Sequence, residues 1–268
     1  MAFGIIIIGD EILSGKRQDK HLSKIIELLS ERGLSLSWAE YVGDDPERIT
    51  STLRRTFSSA DIVFCCGGIG ATPDDHTRQC AADALNLPIV LHPEAKKKIQ
   101  ERIVEMAHEA GKEIDLDSPD NQHRLKMGEF PVGSEIIPNA FNKIPGFYWK
   151  NSSGGVHYFV PGFPVMAEPM MRWALDTHHS HLFHQIARAE KSVIVYDGIE
   201  STLTPLMEAI EAEFDSVKVF SLPSVGDGTR RRHIELGVKG EPNAVEKAYA
   251  RMLTGLDNLR QEYVAVAT

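Results

Sequence analysis

Residues Gly67-Gly68-Ile69-Gly70-Ala71-Thr72-Pro73-Asp74-Asp75-His76-Thr77 combine three glycines with two adjacent carboxylates. They follow an apolar run, Asp61-Ile62-Val63-Phe64-Cys65-Cys66, that reads as a buried strand. They precede a helical pattern through Ala81, Ala84 and Leu85. A glycine-rich turn between strand and helix lets backbone N–H groups approach an anion closely. This turn has no lysine, and phosphates beside Asp74 and Asp75 would be repelled unless a divalent cation lay between. The pattern points to a metal-bridged phosphate or pyrophosphate, not to a Walker-type grip. Plainer readings stand beside this one. Asp75 could ligate Mg²⁺, orient water, or cap the helix that follows. Gly67, Gly68 and Gly70 could serve close ligand approach or only a tight turn. The Thr72 and Thr77 hydroxyls could bond phosphate oxygens or the backbone.

A second group follows the first apolar run. Asp10 and Glu11 stand just after Phe3–Ile8, where the carboxyl end of a strand would face a crevice. The alternative is a solvated turn with a cap. Asp19 could hold a polar group of the ligand or cap a helix at Leu22. The segment from Gly9 to Lys16 looks like a P-loop. It has five residues between its glycines, however, and Arg17 where a metal-binding Ser or Thr would stand, so a Walker A site is rejected. Pro161-Gly162-Phe163-Pro164 is a rigid turn that could wall a ligand or simply join strand to helix. The histidines at 178, 179, 181 and 184 lack carboxylate partners at a diagnostic spacing, Asp176 excepted. They read as a solvated or interface helix end.

The elements that must position these residues alternate. Phe3–Ile8 is a buried strand stopped by Gly9. Leu22, Ile25, Ile26 and Leu29 mark one helix face, ending at Gly33. Leu34–Val42 reads as a strand, and Pro46 opens a helix with Ile49, Leu53 and Phe57 on one face. This strand–helix alternation predicts a three-layer α/β/α fold with a mostly parallel sheet. Right-handed crossovers place the loops after its parallel strands on one edge, so the Asp10 and Gly67 loops can share a crevice. Residues 93–111 read as a charged helix. Short strands are expected at 134–138, 147–150 and 156–160, then a helix through Met166, Met170 and Trp173. A boundary divides residues 1–187 from a smaller α+β domain, 188–268, with a β-α-β-β-α order. The 268 residues allow one large domain or a medium and a small one. A hydrophobic share of 42% suits a soluble globule, and a net charge of −9 argues against general nucleic-acid binding and against an anionic membrane surface. No segment has the length of a membrane span or the pattern of a signal peptide. Cys65, Cys66 and Cys80 form neither a disulfide framework nor a zinc spacing, which fits a reducing cytoplasm.

Three motifs in this order resemble the MoaB/Mog molybdopterin-binding family, and within it the CinA-type branch, whose N-terminal domain is also related to one in eukaryotic FAD synthases. They are Gly9-Asp10-Glu11-Ile12-Leu13-Ser14-Gly15 with Asp19 beyond it, the Gly67–Thr77 loop, and Pro161-Gly162-Phe163-Pro164. The last 80 or so residues resemble the KH-type module of CinA proteins, with Gly198-Ile199-Glu200-Ser201 and Leu222-Pro223 at its turns. The deamidase domain that often follows in full-length CinA proteins is not expected here. Two segments depart from the family pattern: Lys20-His21 replace Thr-Asn after Asp19, and Asn142-Lys143-Ile144 replace Gly-Thr-Ala before Pro145-Gly146-Phe147. Nucleic-acid binding by the C-terminal module is not expected. Arg230-Arg231-Arg232 is basic, but Val225-Gly226-Asp227-Gly228 is one residue short of the phosphate-clamping Gly-x-x-Gly loop and acidic.

The resemblance implies that Asp75 is the essential aspartate. With Asp10 it forms the catalytic pair, and with Asp74 and Asp10 it forms the metal set. Relatives with adenylylating activity carry a basic residue at the Asp74 position. Gly67, Gly68, Gly70, Thr72, Thr77, Asp19, Pro161 and Gly162 would bind substrate or phosphate. Mg²⁺ or another divalent cation is the implied cofactor, and molybdopterin or an adenine nucleotide the ligand. The implied activity is hydrolysis of a nucleotide pyrophosphate such as ADP-ribose, or adenylyl transfer to molybdopterin. A non-catalytic pterin or nucleotide binder is the alternative, and a partner-docking role for the C-terminal module a third reading. The resemblance also implies a homo-oligomer, dimer or trimer, in the cytoplasm, with no membrane partner.

Overall fold

The structure, a computed structural model, describes residues 1–185, 189–226 and 231–266. It divides into two compact units, Met1–Phe183 and His184–Thr268. The expected division at 187/188, Arg230 and the Asp227-Gly228 half of the short glycine loop lie outside the described residues.

The first unit runs β1 (Phe3–Ile8), α1 (Asp10–Leu13), α2 (His21–Ser30), β2 (Leu36–Val42), α3 (Pro46–Phe57), β3 (Ile62–Cys66), α4 (Thr77–Leu85) and β4 (Ile89–Leu91). It continues through α5 (Pro93–Glu109), α6 (Pro119–Leu125), β5 (Glu129–Pro131), β6 (Glu135–Ile137), β7 (Gly146–Lys150), β8 (Val156–Val160) and α7 (Pro164–His178). Six strands form one sheet in the order β2-β1-β3-β8-β7-β6. The β2–β1, β1–β3 and β3–β8 pairings are parallel, and β8–β7 and β7–β6 are antiparallel. A central parallel strand is covered on both faces, so its sequence is apolar throughout rather than alternating. All six residues of β1 are accordingly buried. Ile5 and Ile7 pack with Phe64, Cys66 and Tyr158 under α2 and α7. Ile6 and Ile8 pack with Val63, Cys65 and Phe159 under α3 and α4. Adjacent Cys65 and Cys66 thus enter opposite cores as small hydrophobes, and burial pushes both thiols up. Asp45 caps α3 by accepting from the Arg48 amide (2.9 Å), with Pro46 in its first turn. The β4–β5 pair is a separate antiparallel ribbon that the sequence pattern did not predict.

The second unit runs β9 (Ala189–Tyr196), α8 (Glu200–Glu213), β10 (Val217–Ser224), β11 (His233–Gly240), α9 (Pro242–Asn258) and β12 (Tyr263–Ala265). Its antiparallel sheet has the order β10-β11-β9-β12. Val193, Val195, Leu236 and Val238 alternate onto one face and meet Leu203 and Ile210 of α8 and Val245 and Met252 of α9. The chain is therefore a three-layer α/β domain with a mostly parallel sheet and a smaller α+β domain. Among the described residues no helix is long and apolar enough to cross a membrane.

The histidines at and after the end of α7 do not all stand in solvent, the first of the two readings the sequence pattern left open. His181 and His184 are exposed. His179 is buried beside Phe3, and its Nε2 is 2.9 Å from the Tyr158 hydroxyl. Burial, with repulsion from His178 and His181, pushes His179 down to about 4. Burial pushes His157, bonded to the Thr56 hydroxyl, down to about 3. Below its ordinary value near 6.5 each of these rings takes a proton in the unfolded chain but not in the folded one. Stability is therefore full above pH 7 and falls as pH drops through 6.5 towards 4. At pH 5 the loss is about 2 kcal/mol for each ring. Thermal midpoints measured from pH 8 to pH 4.5 will show this decline, and His157→Gln will flatten it. An unchanged slope in that variant would remove His157 as a cause.

Candidate functional site

Parallel pairing of β1, β3 and β8 brings the loops after them to one sheet edge. The Gly67 amide donates to Val160 O (3.0 Å), and the Gly9 amide to Val42 O (3.0 Å). Gly67 has φ +110, and a Cβ there would collide with the Ile8 carbonyl. Gly68 has φ +68, and its Cβ would strike the Thr77 hydroxyl. Both positions need glycine for conformation and for space. A cavity of about 720 Å³ opens among these loops. That volume lies in the range of small-molecule and cofactor sites.

Of the residues singled out from sequence, Gly67, Gly68, Gly70, Thr72, Asp74, Asp75, Pro161 and Gly162 line this cavity. Asp75 does not cap α4. Its Oδ2 accepts from the Thr72 amide (2.8 Å) and hydroxyl (2.6 Å), and its own amide donates to Thr72 O (3.0 Å). The residue before α4, His76, makes no side-chain capping bond. Asp74 is held below the usual carboxylate range, first by the nearby Thr72 hydroxyl and then by its own backbone amide. Thr77 is fully buried, and its hydroxyl donates to Gly67 O (3.1 Å), away from the cavity. Thr77→Val keeps the shape and orphans that carbonyl. A loss of about 1–2 kcal/mol is expected, read as a lower denaturation midpoint with unchanged slope.

Two further side chains fix the loop from below. The Arg78 guanidinium, 3% exposed, donates to Gly70 O (2.7 Å) and to Lys126 O. The His123 ring lies 2.8 Å from Ala71 O. Neither was evident from local spacing, because their partners are carbonyls of other segments.

Asp10 and Asp19 are placed outside the cavity. Asp10 exchanges bonds with Asp44: the Asp10 amide donates to Asp44 Oδ2 (2.8 Å), and Asp10 Oδ1 accepts from the Asp44 amide (3.2 Å). Asp10 lines a neighbouring groove with Glu40, Arg48 and Arg55, while Asp44 and Glu11 line the cavity itself. Asp19 accepts from the His21 and Leu22 amides (2.8 and 3.1 Å) at the start of α2, and from the Tyr41 hydroxyl (2.9 Å). Burial alone would raise the Asp19 carboxyl, but these bonds hold it below its usual range.

The cavity also holds residues to which the motifs assigned no binding role, among them part of the Asn142–Ile144 segment that departs from the family pattern. Lys16 and Arg17 line it, and the Arg17 guanidinium lies 6.0 Å from the Phe163 ring centre. Their signal was position, directly after the Gly9–Gly15 loop. Asn139, Asn142, Met127, Ile144 and Met166 complete an apolar and amide wall. Charge is the governing feature. Glu11, Asp44, Asp74 and Asp75 face Lys16 and Arg17, four carboxylates against two cations, a formal −2. The Asp44 carboxyl is pushed up by burial and by the charges of Asp10, Glu11 and Asp74, against one amide bond that lowers it.

Among the described residues no group of three or more His, Cys, Asp or Glu is gathered as a metal cage. Mg²⁺ in nucleotide sites needs only one or two carboxylates, the balance coming from phosphate oxygens and water. Asp74 and Asp75 are the carboxylates of the cavity lining that stand on the glycine turn itself.

A family model described as a probable molybdopterin binding domain matches residues 4–180. A CinA-like protein of Anaeromyxobacter sp. (strain Fw109-5) is 33% identical over 161 residues, covering 60% of this chain and 37% of that protein. A CinA-like protein of Thermosynechococcus vestitus is 26% identical over 268 residues, covering 96% of this chain and 60% of its own. The chain thus spans roughly 40–60% of the curated relatives it matches. The crystal structure of the protein CinA, of unknown function, from Thermoplasma acidophilum superposes with a TM-score of 0.55 at 24% identity. It covers 66% of this chain and 98% of that one. That likeness bears on the fold.

Proposed function

The chain belongs to the family of probable molybdopterin binding domains, and on that premise we propose that its first unit binds a pterin or nucleotide diphosphate with a divalent cation and acts on the phosphoanhydride. The observation that carries this reading is the glycine turn set among four carboxylates and two cations in one cavity. A diphosphate could not enter a net-negative site unaided, whereas a diphosphate carrying a cation could. The apolar wall of Phe163, Met127, Ile144 and Met166 offers a slot for a flat heterocycle.

Each residue has a definite part. The amides of Gly68, Ile69 and Gly70 would face phosphate oxygens, the Gly67 amide being committed to Val160 O. Lys16 and Arg17 supply the positive charge that the turn lacks. Asp75, its Oδ2 fixed by Thr72, would hold the cation together with Asp74 or Glu11. When bound, the cation would neutralise charge developing on the bridging and non-bridging oxygens. Asp10, catalytic by resemblance, acts instead as a positioning residue through Asp44.

Hydrolysis of an ADP-ribose-like nucleotide is favoured over adenylyl transfer to molybdopterin, on the strength of the CinA-like two-unit layout. The β-α-β-β-α order of 189–258 supports a KH-type reading of the second unit. A non-catalytic binder is the second reading, favoured by the Asn142–Ile144 wall that replaces the family's Gly-Thr-Ala.

Calorimetry on chelator-treated protein, with ADP-ribose or ATP and with or without Mg²⁺, tests the proposal together with assays for AMP and pyrophosphate. The expected result is metal-dependent binding with product release. Equal binding with and without the cation defeats the metal-bridged reading. Binding without product selects the non-catalytic one.

A further inference from the structure

The loop between β6 and β7 carries an amide pair whose orientation the backbone dictates. Asn139, 6% exposed, accepts at Oδ1 from the Phe141 amide (3.0 Å). Its Nδ2 therefore points the other way, donating to Asn142 Oδ1 (2.8 Å) and Ile144 O (3.0 Å). Asn142 Oδ1 accepts a second bond from the Ile144 amide (3.1 Å). A backbone N–H can only donate, so neither amide can turn over without losing these bonds. Both acceptor directions of Asn142 are thus filled. Its Nδ2 meets the Met166 thioether at 3.4 Å, a weak acceptor that engages one of its two protons. Asn142 and Met166 both line the cavity.

We infer that Asn142 is a specificity-determining residue, whose clamped Nδ2 donates to a carbonyl oxygen or bare ring nitrogen on the edge of the ligand's heterocycle. The inference rests on the pterin-or-nucleotide reading above. An unclamped asparagine could rotate to accept from an N–H as readily as donate. This one cannot, so an edge presenting only N–H groups meets donor against donor and is rejected. A site built to make one hydrogen bond discriminates strongly because its polar group is otherwise left unpaired.

Asn142→Asp tests this, since the carboxylate keeps an oxygen for Asn139 and Ile144 and removes the donor. Binding is measured by calorimetry in Mg²⁺ with three heterocyclic probes, ADP-ribose, ATP and 6-hydroxymethylpterin, and with pyrophosphate, which has no ring. Affinity for a heterocyclic probe bound by the wild type is expected to fall about tenfold or more, with pyrophosphate changed by no more than about twofold. Equal weakening of ring-bearing probe and pyrophosphate would show mere charge repulsion and overturn the inference, as would no change in either. Asn142→Ser removes the amide without adding charge, and must show the same ring-selective loss with pyrophosphate binding kept, its thermal midpoint falling only by the cost of losing the Asn139 and Ile144 bonds. If the wild type binds none of the three heterocycles, the proposed function fails and this inference with it. If it binds them and the variants do not discriminate, only this inference fails.

Discussion

On the proposed metal-bridged reading, Asp75→Asn is expected to lower turnover of ADP-ribose or ATP by about two to three orders of magnitude, the scale of losing one preorganised electrostatic contact to a transition state. The fold should survive. Asparagine keeps a carbonyl oxygen to accept from the Thr72 amide and hydroxyl, the two bonds that shape the 72–75 turn. Its thermal midpoint should stay within a few degrees of wild type. Asp75→Ala is a sharper lesion, because it also removes both Thr72 bonds. Those donors are exposed and pass to water, so the variant should add a stability loss of no more than about 1 kcal/mol to the same kinetic defect. Steady-state rates and thermal melts on both variants separate the charge of Asp75 from its local bonding. Full activity in the asparagine variant would mean that no anionic carboxylate is needed there, and the cation-holding role would be abandoned.

Gly67→Ala carries the largest expected cost to stability. The added methyl would be driven into the Ile8 carbonyl at φ +110. Neither neighbour can yield, because β1 is paired on one side with β2 and on the other with β3 up to this point. Backbone strain together with the overlap should cost about 3 kcal/mol or more, a fall of roughly 10 °C in melting temperature for a unit of this size. Gly162→Ala is the matched control. Its new Cβ would lie 3.5 Å from Gly67 Cα, an ordinary contact, and a change within about 0.5 kcal/mol is expected. If the two variants melt together, the tight approach of the glycine turn to β1 is not what holds this edge.

Much of the first unit was legible in its apolar patterning. β1, β3 and β8 read as strands because burial on both faces leaves little room for polar residues. Helix α3 announced itself through Asp45-Pro46 and the Ile49, Leu53, Phe57 face. What escaped was short or non-local. β4, β5 and β12 have three residues each, too few for any period to show. The site divides along the same line. The glycine turn and Asp75 were visible as a contiguous string. The turning of Asp10 away from the cavity depends on Asp44, thirty-four positions on. The amide wall of Asn139 and Asn142 depends on two backbone amides that no spacing rule reveals. Thr77 was visible as a residue of interest but not as a buried brace, because its acceptor lies ten positions before it.

Arg78 joins two stretches of chain far apart in sequence, Gly70 and Lys126, through one enclosed guanidinium. Opening either stretch would strand a cation away from water, so they should open as one cooperative unit. Native-state hydrogen exchange should then give the amides of Thr72, Asp75 and Gly128 a shared opening free energy, and occupancy of the pocket should slow all three together.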